Sequence, residues 1–142
     1  MGEEKDIKVL NAEKIRYLSQ YINLKKSIAR LEEQRQELFI NNVCPNVNYS
    51  GLPGSHVKRD LSDYIVGLSE IESKLIKLKA ERFQLQKEIV EKIEDLEDET
   101  ERAVLDYRYI RGLQWEEIAV KMNYSYRNIT RIHGRALLSF KM

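Results

Sequence analysis

LEDETERAVLDYRYIRGLQWEEIAVKMNYSYRNITRIHGRALLSF, residues 96–140, sets the architecture expected of the chain. It divides into three short amphipathic segments, punctuated by Gly112-Leu113 and by Asn123-Tyr124-Ser125. In the first, Ala103, Val104, Tyr107 and Ile110 recur at helical spacing, and Gly112 supplies a stop. In the second, QWEEIAVKM, Gln114 and Glu117 form a weak capping box and Ile118, Ala119 and Met122 form the buried stripe. Small Ala119 lets a neighbouring helix cross closely. Asn123 suits a left-handed turn, and Ser125 is a good N-cap for the third segment.

That last segment sorts its residues by face. Ile129, Ile132 and Ala136 fall on one side; Arg127, Thr130, Arg131, Gly134 and Arg135 fall on the other, flanked by Tyr126 and Asn128. A helix of this kind packs with one face and can enter the major groove of DNA with the other. Arg grips guanine bidentately and Asn does the same for adenine, so Tyr126, Arg127, Asn128 and Arg131 are the base-facing candidates. Thr130 and Arg135 suit phosphate contacts, which position without specifying. With the cap Ser125 these six make the candidate DNA-binding set, on a recognition helix expected over residues 126–138. A basic stripe is also what an ordinary solvated helix face looks like. The agreement of turn, cap and stripe favours DNA.

Charge points the same way. Residues 1–100 carry 16 Lys/Arg against 19 Asp/Glu, whereas residues 101–142 carry 8 against 4. A basic C-terminal part on a near-neutral chain is a pointer towards a polyanion.

Outward from this stretch, the chain reads as two long helices. Tyr17, Tyr21, Leu24, Ile28, Leu31, Arg35 and Leu38 alternate at spacings of four and three, a coiled-coil seam over about residues 12 to 40. A second seam runs through Leu61, Tyr64, Leu68, Ile71, Leu75, Leu78, Arg82, Leu85, Ile89, Lys92 and Leu96. Arg35, Arg82 and Lys92 interrupt the seams; their stems are expected to pack while their heads reach water. Residues 41–60 hold both prolines and two of the six glycines, which is turn chemistry. The expected architecture is therefore all-α: a long antiparallel helical hairpin over residues 1–95 with a structured loop at 41–60, then a three-helix helix-turn-helix domain over 96–142. Two separate intermolecular coiled coils are the alternative.

Other chemistries find little support. Six acids crowd residues 94–101, but no His, Cys or Asn stands with them at ligand spacing, so they read as the start of a helix. His56 and His133 have no metal partners at ligand spacing. Ser55, His56 and Cys44 have no activating triad or oxyanion motif beside them, and Gly51-Leu-Pro-Gly54 is turn chemistry and not a phosphate loop. No enzyme, metal or cofactor is expected. The lone Cys44, the short apolar runs and an N-terminus without a signal peptide's apolar core lead us to expect a cytoplasmic protein without a membrane span.

At Leu113-Gln-Trp-Glu-Glu117-Ile118-Ala119, Asn123-Tyr124-Ser125 and Arg135-Ala136-Leu137 the chain resembles region 4 of bacterial sigma factors. More narrowly, WEEIA, YSYR and HGRAL resemble small proteins of phages and prophages of Gram-positive bacteria, similar in plan to late-gene regulators of the ArpU and RinA type. The stretch NYSGLPGS is similar to one seen among them. The resemblance implies a transcriptional regulator that binds double-stranded DNA near a promoter and contacts RNA polymerase. Asn123 stands where Gly is usual and Gln114 where Ser is usual, and no counterpart of the promoter-melting region is present. A complete sigma factor is therefore not implied. One small domain makes few phosphate contacts, so a homodimer through the hairpin, or tethering to polymerase, is expected to supply affinity. The competing readings are a coiled-coil protein-interaction adaptor and a small-terminase-like DNA-packaging protein.

Overall fold

A computed structural model of the chain describes residues 2–43 and 61–142. Residues 44–60, most of the expected loop and including Cys44, Ser55, His56 and NYSGLPGS, lie outside the described residues. The described chain is all-helical: α1 (Gly2–Val43), α2 (Leu61–Glu94), α3 (Glu99–Leu105), α4 (Trp115–Met122) and α5 (Tyr126–Ser139), with no strand among these residues. A π-helical turn, Asp106–Ile110, continues α3. No helix among the described residues is long and apolar enough to cross a membrane.

α1 starts ten residues before the heptad does. Glu3 and Glu4 in its first turn complement the positive end of the helix. By contact the chain forms two compact units, Met1–Lys25 with Arg82–Met142, and Lys26–Glu81. The boundary expected at 95/96 thus runs through the interior of the first unit.

In the Lys26–Glu81 unit, Ile28 and Leu75 are buried. Lys79 pairs with Glu32 at 3.1 Å, Arg35 with Glu72 at 3.1 Å, and Gly67 lies against Leu38. As numbers rise along α1 they fall along α2, so here the two helices run antiparallel. Arg35 is a seam residue whose head is neutralised across the pair.

In the other unit two clusters form the core. Leu18 and Tyr21 of α1, Ile89 and Ile93 of α2, and Leu96 surround Leu105, Tyr109, Ala136, Leu137 and Phe140. Val104, Ile118, Ala119, Ile129 and Ile132 form the second, between α3, α4 and α5. Leu18 and Ile93, rather than their neighbours Tyr17 and Lys92, are the buried members of their turns because the C-terminal helices cover that side. Tyr17 and Lys92 instead close a polar network at its edge: the Tyr17 hydroxyl donates to Glu88 at 2.7 Å, and Lys92 donates to Glu88 at 3.0 Å and to the Tyr17 oxygen at 2.9 Å. Burial raises the Tyr17 phenol, and the hydrogen bond from Tyr17 holds the Glu88 carboxyl down.

Lys14 ties the two ends of the chain together. Its ammonium is buried and donates to the Leu137 carbonyl at 2.6 Å, across 123 residues of sequence. The last carbonyls of a helix lack intrahelical donors and carry the negative end of its dipole, so a cation from another helix is well placed there. Desolvation lowers the Lys14 ammonium below its usual range.

Candidate nucleic-acid interface

The turn between α4 and α5 is built as the residue types require. Asn123 is left-handed at φ 57°. The Tyr124 N–H reaches the Ala119 carbonyl at 3.0 Å and the Asn123 N–H reaches Val120 at 3.2 Å, the paired bonds of a Schellman cap. Ser125 follows in extended conformation, and its hydroxyl accepts from the Asn128 N–H at 3.1 Å. Removing that acceptor leaves an N-terminal donor of α5 without its partner. Ser125→Ala is expected to cost about 1 kcal/mol of stability, within a range of ~0.5–2 kcal/mol, read as a lower midpoint in thermal unfolding.

At the start of α4 the expectation fails. Gln114 occupies the N-cap position, but its side chain makes no capping bond, so the Gln114–Glu117 capping box is not formed. The better cap is upstream: the Asp98 carboxylate accepts from Thr100 at 2.8 Å and Glu101 at 3.2 Å. The acid-rich junction at residues 94–101 accordingly begins α3. After the π-helical turn, Gly112 takes φ +71°, where an L side chain is strained, and a Cβ there would also meet Ile22 at 3.3 Å.

Ile129, Ile132 and Ala136 are buried against α3 and α4, joined by Leu137 and by Phe140 just past the helix end. Opposite them Tyr126 is half exposed, and Arg127, Thr130, Arg131 and Arg135 are exposed. The three arginines lie at successive intervals of four, so the row spans roughly 12 Å along the helix. That is about the width of a major groove. A Cβ on Gly134 would meet nothing within 4 Å, so no protein group occupies the face there.

These side chains are not equally free. Arg131 donates to the Asn128 side-chain amide oxygen, Oδ1, at 3.0 Å, which orients the guanidinium and occupies that acceptor. Asn128 is half-buried and reads as Arg131's support in this geometry. The Thr130 hydroxyl donates to the Arg127 carbonyl at 2.8 Å, leaving its lone pairs outward. Arg135 leans towards Glu101, with 4.0 Å between Nε and the carboxylate. The Arg127 and Tyr126 side chains make no hydrogen bond, ion pair or ring contact among the described residues.

Beneath the face lies an arrangement that the sequence does not announce. Tyr109, from the π-helical turn, is buried, and its hydroxyl lies 2.7 Å from His133 Nε2. Trp115 meets the same imidazole edge-on at 4.6 Å, and Arg108 stacks on Trp115 at 4.5 Å while donating to the Leu113 carbonyl. Burial, with Arg108 nearby, pushes the imidazole down to about 4, and burial pushes the Tyr109 phenol up to about 12. At neutral pH His133 is therefore uncharged and Tyr109 protonated, and a single hydrogen bond joins the phenol to Nε2. This set fixes α5 from behind. Nothing in the spacing of Tyr109 and His133 marks them as partners, since the π-helical turn shifts the buried face from the Ile110 expected at α spacing to Tyr109.

Among the described residues no group of three or more His, Cys, Asp or Glu is arranged to hold a metal ion. Comparison with protein-family models, with curated proteins and with solved structures finds no match for this chain.

Proposed function

We propose that the chain is a sequence-specific DNA-binding transcriptional regulator of phage type, acting in the cytoplasm, with α5 in the major groove. In this reading α3 to α5 form a helix-turn-helix domain like sigma factor region 4, over residues 96–142. Residues 1–95 form a helical hairpin that dimerises or contacts RNA polymerase. The observation that carries the proposal is the division of α5: one face buried in the core, the other an open row of Arg127, Arg131 and Arg135 behind a Ser125 cap. Here the left-handed Asn123 turn, the cap and the Asn128 support of Arg131 all serve to hold basic groups in fixed positions.

Selection of bound sequences from random double-stranded DNA by the purified chain, at two salt concentrations, tests this. A motif that survives the higher salt supports it; no retention at either salt defeats it in favour of a protein-binding adaptor. On the selected site, Arg131→Ala is expected to weaken binding by about 1–3 kcal/mol and to relax preference at one base position. Arg135→Ala is expected to weaken all sequences alike and to flatten the salt dependence. If Arg127→Ala and Arg131→Ala both leave binding unchanged, α5 is not the reading helix.

A further inference from the structure

Two charged residues are buried among the described residues, Lys14 and Glu101. Lys14 has a close partner in the Leu137 carbonyl. Glu101 has none: among the described residues its carboxylate accepts no hydrogen bond, and its one ion pair is with Arg135, 4.0 Å from Nε. The neighbouring acids Glu99 and Asp106 are more exposed and bond Arg102 and Arg111 directly, Asp106 at 2.9 Å. Keeping a carboxylate from water without a close partner costs stability. Residues that break a local rule in this way mark functional positions. Glu101 is also fixed in place. Its side chain is 11% exposed, and it lies in α3, which the Asp98 cap starts and which packs against α5. Arg135 is freer, with its side chain 53% exposed. The acid approaches the guanidinium at Nε, the nitrogen nearest the backbone, and neither Nη makes a hydrogen bond among the described residues. A guanidinium presents its N–H groups as a planar fork, so a carboxylate behind Nε leaves the Nη donors for a phosphate in front.

We infer that Glu101 is a positioning residue for Arg135: from α3 it holds the guanidinium on the open face of α5, so that the outer edge meets the DNA backbone. The inference rests on the DNA reading and names how one of its phosphate contacts is set. Glu101 itself stays in α3 and touches no DNA. Holding a long side chain in one rotamer before binding removes part of the entropy that binding would otherwise cost. The same acid repels phosphate, but that repulsion acts whichever residue stands at position 135. Its hold on the guanidinium exists only with arginine there. The two effects are therefore separable by a double-mutant cycle.

The test uses the full chain and the site it selects from random double-stranded DNA. Glu101→Gln, of the same shape without the charge, is expected to weaken binding about threefold or more in the native chain and not to weaken it in an Arg135→Ala chain. A loss of packing alone would lower binding equally in both. Arg135→Lys leaves α3 untouched and serves even if Glu101→Gln does not fold. Lysine offers a phosphate the same charge but has no Nε for Glu101 to hold, so it too is expected to lose about threefold or more. Equal losses from Glu101→Gln in the two backgrounds overturn the inference. So does tighter binding by Glu101→Gln only where Arg135 is present, which would make the acid a competitor of the phosphate. Lysine binding as well as arginine overturns it also. A chain that selects a motif yet gives any of these results keeps the DNA reading and loses the role of Glu101; a chain that retains no DNA loses both.

Discussion

Phe140→Ala is expected to lower the stability of the chain by about 3–5 kcal/mol, the loss found for a fully buried phenylalanine with little room to collapse. Phe140 lies past the last helical residue, where a chain end ordinarily frays. Instead it is 1% exposed, its N–H bonds the Ala136 carbonyl at 2.8 Å, and its ring lies 6.2 Å from that of Tyr17. It joins the cluster that includes Leu18, Tyr21, Ile89 and Ile93. Truncation would therefore open a cavity between the first helix of the chain and the last, and Leu137, one turn back, could not fill it because Lys14 holds its carbonyl. Phe140→Leu, nearer in volume, should lose much less, under about 1.5 kcal/mol. Chemical denaturation of the two variants, followed by circular dichroism, measures both values. A loss below 1 kcal/mol for alanine would mean that the terminus contributes nothing to the core.

The second large effect is set by pH. The His133 imidazole is pushed down to about 4 in the folded chain against about 6.5 when unfolded. Between those values the unfolded chain binds a proton that the folded chain refuses, so stability rises with pH by about 1.4 kcal/mol per unit. The contribution is fully present above pH 6.5 and is lost as pH falls towards 4, some ~3 kcal/mol in all. The cause is burial among Tyr109 and Trp115, with the Arg108 charge adding to it. Other groups titrate in this window, so the measurement is the difference between the native chain and His133→Gln. The native chain should lose stability faster on acidification, and the two curves should converge in slope above pH 7. Trp115, the single tryptophan, supplies the signal, since its ring touches the imidazole. Parallel curves from pH 7 to 4 would place His133 in water.

Local features were legible in the residues. Asn123 takes the left-handed conformation expected of it, Ser125 caps α5, Gly112 stops the preceding helix, and Ile129, Ile132 and Ala136 are the buried stripe. Each depends on neighbours within four residues, and periodicity and capping report that range well. The capping box at Gln114 failed because a glutamine must spend several rotamers to do what a serine does with one. Asn128 was expected to face a base; its side-chain amide oxygen accepts from Arg131 one turn on, a contact that spacing alone leaves open.

Residue spacing and turn chemistry are enough to make the chain helical, to place the Asn123 turn and the Ser125 cap, and to set which side of α5 is apolar. Those are properties of single segments. What covers each apolar face is set by packing between segments far apart in the chain. Leu18 and Ile93 became core beside the seam residues Tyr17 and Lys92, Phe140 became an anchor, and Lys14 became the cap of a helix 123 residues away. The same packing makes His133 neutral, since the residues that desolvate it come from other elements. A heptad says that a helix has a seam. Which partner lies on it is settled by contacts that no window along the chain contains.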